Sequence, residues 1–223
     1  MNLLAIDTST ERATVALLVN GEIYKAEQHN LREHAQFLLP MIHGLLAESE
    51  ISIKQLQGIA FGCGPGSFTG LRIACSIAKA LAYAYNLPLY PVSSLAAIAA
   101  EVYASENNLA ADTQVVALID ARMHQLYWAS FTGGYMTGVE QVLAAADISL
   151  PGTGPVLLAG AGFAAYVPQL SAAIQARVIK QRIIFPCAQV MLSLVQLGGV
   201  KAVSAAEALP VYVRNQVTHV AVP

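Results

Sequence analysis

The chain has 223 residues, with 12 Lys+Arg against 14 Asp+Glu, a net charge of -2 and a pI of about 6.2. Charged residues make up 12% and hydrophobic ones 56%, against roughly 25% charged in an average soluble domain. Such a chain carries too much apolar surface to stay disordered and too few clustered cations to bind nucleic acid by charge alone.

Leu3 to Asp7 is a short apolar strand that ends in an acid. No basic stretch precedes it, so Met1 to Asp7 does not read as a signal peptide. Ala13 to Val19 is a second strand. Asn20-Gly21 then signals a hairpin, because both residues tolerate positive φ, and Glu22 to Gln28 returns. A helical segment runs from about Arg32 to Ser49. Pro40 lies inside it and has no N–H to give, so the helix is expected to begin close to Phe37 or to bend there. Gly58 to Gly62 is a buried strand, and a glycine-rich loop leads into a helix over Thr69 to Tyr85. Leu87 to Val92 is a strand, after which Ser93 or Ser94 caps a helix ending near Glu106.

Around Asp120 the opening pattern returns. Leu4-Ala5-Ile6-Asp7 precedes a turn and the strand at Ala13, and Ala117-Leu118-Ile119-Asp120 precedes a turn and a strand from Gln125 to Phe131. Two copies of one α/β unit give this pattern, and so does a chance likeness between short apolar strands. Val156 to Ala159 reads as a strand, Gly162 to Ala176 as a helix with Pro168 early in it, and Cys187 to Leu197 as a helix. Leu209 to Asn215 reads as a terminal strand or ordered tail. Alternating strands and helices predict an α/β fold of two mixed-sheet lobes, residues 1–108 and 109–223. The longest charge-free runs are broken by Pro186, Gly198 and Gly199 or by Pro151 and Pro155, too early for a bilayer span of about 20 residues. A soluble, cytoplasmic chain is expected, with some apolar surface covered by a partner. Cys63, Cys75 and Cys187 form no CxxC pair and read as reduced thiols.

The most specific segment is Gly62-Cys63-Gly64-Pro65-Gly66-Ser67-Phe68-Thr69-Gly70-Leu71-Arg72-Ile73. It is neither a Walker A loop nor a G-x-G-x-x-G run. Glycines before a helix N-terminus permit close backbone approach, and free N–H groups there attract anions. Gly64, Gly66, Ser67, Thr69, Gly70 and Arg72 are therefore candidates for a phosphate or interface loop, with a purely structural turn as the alternative. Phe37, Leu38, Met41 and Leu45 on one helix, and Leu71, Ala74, Ile77, Ala78 and Leu81 on the next, form apolar bands wider than one sheet contact requires. They are candidates for pairing with partner helices, with packing on their own sheet as the alternative. Asp7 and Asp120 end their strands and are candidates for a nucleotide-related role, against the turn-stabilising role common for Asp. No two histidines stand at H-E-x-x-H or H-x-x-x-H spacing, so no metal and no cofactor is expected. Arg177, Lys180 and Arg182 read as a solvated basic edge.

Leu4-Ala5-Ile6-Asp7-Thr8-Ser9-Thr10, Arg32-Glu33-His34, the Gly64 to Ile73 loop-helix, Ile119-Asp120-Ala121-Arg122-Met123 and Pro210-Val211-Tyr212-Val213-Arg214-Asn215 together resemble the bacterial TsaB (YeaZ) proteins. The likeness keeps its order along nearly the whole chain. Cys63 departs from it, standing where a basic residue is expected in many relatives. The resemblance implies a duplicated actin-like, Hsp70-like fold. It also implies a part in threonylcarbamoyl modification of the adenosine beside the anticodon, in tRNAs reading codons that begin with A. It further implies a non-catalytic subunit that docks TsaD, a larger paralogue, through its two apolar helices. The ATPase TsaE joins the complex, tRNA is met through the complex, and the chain pairs with itself when alone. TsaD carries a His-x-x-x-His metal pair, whereas four residues after His34 this sequence has Leu38. Two other readings remain at the sequence level. One is an enzyme of the same fold, either an ATP-dependent phosphotransferase or a glycoprotease-type metallopeptidase. The other is a small-ligand-binding domain with no complex.

Overall fold

The computed structural model describes residues 1–29 and 34–214. Arg32 and Glu33 of the motif before the first helix, and Asn215 and His219, lie outside the described residues. The first half builds β1 (Leu3–Asp7), β2 (Ala13–Val19), β3 (Glu22–Gln28), α1 (His34–Glu48), β4 (Gly58–Gly64), α2 (Phe68–Tyr85), β5 (Leu89–Ser93) and α3 (Ser94–Ser105). Asn20 and Gly21 take φ of 52° and 96°, as the hairpin requires. The sheet order is β3-β2-β1-β4-β5, with β1–β3 antiparallel neighbours and β4 and β5 parallel to β1.

The second half repeats this plan. It contains β6 (Gln114–Asp120), β7 (Leu126–Thr132), β8 (Tyr135–Met136), β9 (Gln141–Leu143), β10 (Val156–Ala161), the one-turn α4 (Ala172–Gln175), β11 (Val178–Ile183) and α5 (Ala188–Gln196). Its order is β8-β7-β6-β10-β11, with β9 also on β7. Position by position this matches β3-β2-β1-β4-β5, with the same parallel and antiparallel pairings. The likeness between Asp7 and Asp120 is thus the trace of a duplication, and the fold is the duplicated actin-like α/β architecture.

The two halves differ in their helices. Where the first half has α1 and α2, the second has 3-10 turns at Ala145–Asp147 and Ala164–Gln169 and the short α4. The helix expected over Gly162 to Ala176 does not form. Gly162 takes φ of 71° and Pro168 ends a 3-10 turn, and both oppose a continuous α-helix. Nor does α1 begin close to Phe37. The helix is already formed at His34 and contains Pro40, which is exposed.

Strand alternation assigns each sheet face its cover. Leu4, Ile6, Val15, Leu17, Ile59 and Phe61 face α1 and α2. Leu3, Ala5, Ala16, Leu18 and Ala60 face Ala188, Met191 and Leu192 of α5. In the second sheet, Val115, Ala117, Ala129 and Leu157 face Leu95, Ile98 and Val102 of α3. Val116, Leu118, Trp128 and Leu158 face Phe163, Leu170 and Ile174. So α3, from the first half of the chain, packs on the second sheet, while α5, from the second half, packs on the first. The named strands of the first sheet lie within residues 1–108 and those of the second within 109–223, while the two helices cross over between the sheets. Polar ties add to this seam: Ala188 N donates to Thr14 Oγ1 at 3.0 Å, and Ser93 Oγ bonds the Glu140 carboxylate.

After α5 the chain runs back to the first lobe. Val203 pairs with Leu89, Ala208 is buried, and its carbonyl accepts from Lys79 Nζ at 2.9 Å. Val211 N donates to the Cys63 carbonyl at 2.7 Å. The expected terminal element is therefore an ordered tail through Arg214, not a strand. Among the described residues no helix is long and apolar enough to cross a membrane.

Candidate functional site

The glycine-rich loop joins β4 to α2, and its glycines meet the β1–β2 turn. A Cβ on Gly66 would stand 2.3 Å from the Ser9 carbonyl oxygen, and one on Gly70 would stand 1.8 Å from that of Thr8. Hydrogen bonds close the same contact. Ser67 N donates to Ser9 O at 2.7 Å, and Thr8 Oγ1 donates to Gly70 O at 2.6 Å. Ser67 caps α2, its side chain accepting from Gly70 N at 3.3 Å. Two carbonyl oxygens therefore press against the loop's glycines, and one of them takes up the Ser67 N–H. Gly66 and Gly70 serve backbone packing here. Thr69 and Arg72 are exposed on the following helix.

Asp7 and Asp120 hold equivalent places at the ends of β1 and β6, each against a glycine of the neighbouring parallel strand or its end. A Cβ on Gly62 would meet Asp7 Oδ2 at 1.9 Å, and one on Gly162 would meet Asp120 Cβ at 2.8 Å. Asp7 is fully buried. Its Oδ1 accepts from Ser9 N at 3.0 Å and Ser9 Oγ at 2.9 Å, while Oδ2 has no partner. Burial pushes its carboxyl up to about 7, against the lowering effect of the Ser9 bonds. Asp120 is partly exposed. It accepts from Arg122 N and Tyr166 OH, each at 2.8 Å, and pairs with Arg122 Nη1 at 3.2 Å. Of the two acids only Asp120 faces open space. Burial also pushes the Cys63 thiol up to about 12, so a thiolate nucleophile is not available there.

That open space is a cleft between the lobes. A cavity of about 500 Å³ is lined by Pro65, Phe68, Leu71, Asp120, Arg122, Met123, Tyr127, Tyr212 and Arg214 among others. A smaller one of about 160 Å³ adjoins it through Ser67, Asp120 and Arg122. The Phe68 and Tyr212 rings lie 5.4 Å apart, and the Arg72 guanidinium sits 3.8 Å over the Phe68 ring and donates to Tyr212 OH. Arg214 closes one end through Gln125 Oε1 at 2.6 Å. The β6–β7 turn at its edge is unusual. Arg122, Met123 and His124 take φ of 61°, 53° and 59°, three successive non-glycine residues in the left-handed region. That conformation costs roughly 1–2 kcal/mol per residue. Asp120 holds it, and Arg122 O accepts from Gln125 N. Composition and periodicity give no sign of this turn.

The two helices expected to dock a partner divide differently from the sequence reading. Leu38, Leu45, Leu71, Ala74 and Ala78 are buried in the first lobe's own core, so no partner can reach them. The correction has a simple cause: hydrophobic periodicity marks the face that meets the chain's own sheet. Phe37, Met41, Ile77 and Leu81 are half-buried along its margin. The exposed residues of the two helices include Gln36, Leu39, Pro40, His43, Ala47 and Glu48 on α1 and Thr69, Arg72, Ser76, Ala80 and Tyr83 on α2. Tyr83 is 85% exposed and Leu39 50%. Among the described exposed residues of α1 and α2 the charged ones are Glu48 and Arg72, and small uncharged positions on an exposed helix were the available signal. Leu38→Ala should therefore cost about 3 kcal/mol of stability, read by urea denaturation, without changing affinity for a docked protein once folded.

Comparison with known proteins places this geometry. Residues 27–223 match the family model described as TsaD, tRNA N6-adenosine threonylcarbamoyltransferase. The TsaB protein of Haemophilus influenzae, named for tRNA threonylcarbamoyladenosine biosynthesis, is 35% identical across 98% of this chain and 95% of its own length. The Escherichia coli TsaB protein is 41% identical across 59% of this chain and 55% of its own. A crystal structure of YeaZ from Pseudomonas aeruginosa superposes with a TM-score of 0.85 at 37% identity, covering 95% of this chain and 99% of that one.

Proposed function

The chain belongs to the TsaB (YeaZ) family, and from that premise we propose that it is the non-catalytic subunit that docks and activates a larger threonylcarbamoyltransferase of the TsaD kind. Membership carries a role in tRNA threonylcarbamoyladenosine biosynthesis. The docking role rests on one observation, the charge-poor outer face of α1 and α2 around Leu39, Ala80 and Tyr83. A solvated helix face ordinarily carries alternating charges. Ser76 and Ala80 are short enough to let a partner helix approach closely. Alone, two copies would use the same patch across a two-fold axis. TsaE would join through the larger subunit.

The non-catalytic part is supported by what fills the places where chemistry would sit. The glycine loop is pressed on the Thr8 and Ser9 carbonyls, with its Ser67 N–H bonded to Ser9 O. Asp7 is sealed in. The position four residues after His34 is Leu38, buried in the core.

The test is charge on the outer face. Ala80→Arg and Tyr83→Glu should each weaken association with TsaD about 100-fold, because a charge is desolvated without a partner. Loss of threonylcarbamoyladenosine in tRNA, read by nucleoside mass spectrometry, should follow. Both positions are exposed, so unfolding midpoints should stay within about 0.5 kcal/mol of the parent. An intact complex and normal modification in both variants would overturn the docking face. Turnover of ATP or peptide by the isolated chain would overturn the non-catalytic role.

A further inference from the structure

We propose that the cleft between the lobes receives one unpaired base of an RNA strand, giving this chain its own contact with the tRNA on which its family works. The proposal rests on the functional reading above for the identity of the RNA, but its geometry stands apart from the α1–α2 face.

The cleft has the parts that single-stranded RNA binding uses: flat rings to stack a base and cations outside to meet its phosphates. The rings are Phe68, Tyr127 and Tyr212, and the cations are Arg122 and Arg214, with Arg72 stacked on Phe68. The space is about 500 Å³, within the range of small-molecule pockets. The other two described arginines of the second lobe are tied down elsewhere. Arg177 donates to Gly154 O and Gln114 Oε1, and Arg182 pairs with Glu106. Arg122, by contrast, keeps 81% of its side chain exposed despite its contact with Asp120. Arg122 and Met123, both on the left-handed turn, line the cleft. Two acids are near. Asp120 is occupied by Arg122 and Tyr166, and Glu11 lines only the smaller cavity.

An RNA base fits better than a free nucleoside triphosphate. A triphosphate needs a cradle of N–H groups, and in the loop beside this cleft the Ser67 and Gly70 N–H groups are already bonded to Ser9 O and Ser67 Oγ. A base held on a strand brings its phosphates to the rim, where Arg122 and Arg214 stand.

The experiment titrates a fluorescent anticodon stem-loop RNA with the full chain, alone and assembled with TsaD, between about 50 and 200 mM salt. Arg122→Gly suits the positive φ and removes the charge. It should weaken RNA binding about fivefold and lower the salt slope by about 1. Arg122→Lys should keep the slope. Arg214→Gln should act as Arg122→Gly does, and a fluorescent purine analogue in the loop, quenched on stacking by the parent, should stay bright with Phe68→Leu. Excess ATP should not displace the RNA. The proposal is overturned if Arg122→Gly and Arg214→Gln both leave affinity and slope unchanged while folded. It is equally overturned if ATP competes with the RNA, which would assign the cleft to a free nucleotide. Failure to assemble with TsaD would count against the functional reading instead, and the titration of the chain alone would still read the cleft.

Discussion

Gly70→Ala should destabilise the protein by about 3 kcal/mol, although alanine replacing glycine inside a helix normally stabilises by about 1 kcal/mol. The reversal follows from one contact. The added methyl would stand 1.8 Å from the Thr8 carbonyl oxygen and 2.9 Å from its carbon. Those are backbone atoms at the end of β1, a strand buried along its whole length, so they cannot swing aside as a flexible side chain would. Either the loop lifts from the turn or the first turn of α2 deforms. Both routes break the Thr8 Oγ1 to Gly70 O bond, itself worth about 1 kcal/mol, and overpacking adds about 1–3 kcal/mol. Gly44 is the control. It lies inside α1 with nothing within 4 Å of its ideal Cβ, so Gly44→Ala should stabilise by about 1 kcal/mol. Paired urea melts read both. Midpoints moving in the same direction would mean that the loop yields to the turn and that helix propensity governs both sites.

The same contrast explains what could be read in advance. The β1, β2 and β3 boundaries were legible to the residue, because apolar runs, an Asn-Gly turn and an acid at a strand end are local signals. The duplication was legible because Asp7 and Asp120 each end a strand that a second, antiparallel strand follows. The role of the glycines was not. A loop that cradles phosphate and a loop pressed on a neighbouring turn need the same residue, and only the distance from Gly66 and Gly70 to Ser9 and Thr8 separates them. Strand β11 was missed because it is a sheet edge. Its Lys180 and Arg182 reach back to Glu106 at 2.8 Å and 2.7 Å, and in sequence such residues look like a solvated basic run. The burial of the helices' apolar positions in the first lobe's own core was missed for a related reason. Apolar spacing in Leu38, Leu45, Leu71 and Ala78 reports what a helix hides, while the surface it leaves open includes Ser76, Ala80 and Tyr83, whose pattern is the shortage of charge.

Asp7→Asn should flatten the pH dependence of stability between about pH 5 and 8 and stabilise the protein at the upper end. Asp7 is sealed between β1 and β4 with Oδ2 unpartnered, and burial raises its carboxyl from 3.8 to about 7. Between those values the folded chain holds a proton that the unfolded chain has released, so stability falls as pH rises. The contribution is fully present below about pH 4 and is lost as pH passes through about 7. A shift of about three units corresponds to about 4 kcal/mol. Glu140, raised by burial against its Ser93 bond, acts in the same sense. Glu106 and Glu207, held low by Lys180 and by Ser204 respectively, act in the opposite sense at lower pH. Subtracting the variant's curve from the parent's removes all three and leaves Asp7. The amide still buries a donor with no partner, which costs about 1–3 kcal/mol, so the net gain above about pH 8 should be about 2 kcal/mol, with the curves crossing at lower pH. Urea denaturation across this range, with tRNA modification by the assembled complex measured alongside, separates two roles for the residue. A stabilised variant with unchanged modification makes Asp7 a buried structural acid, as its enclosure implies. A variant that folds and docks normally but no longer supports modification would return the acid at the end of β1 to the chemistry, and with it the enzymatic reading.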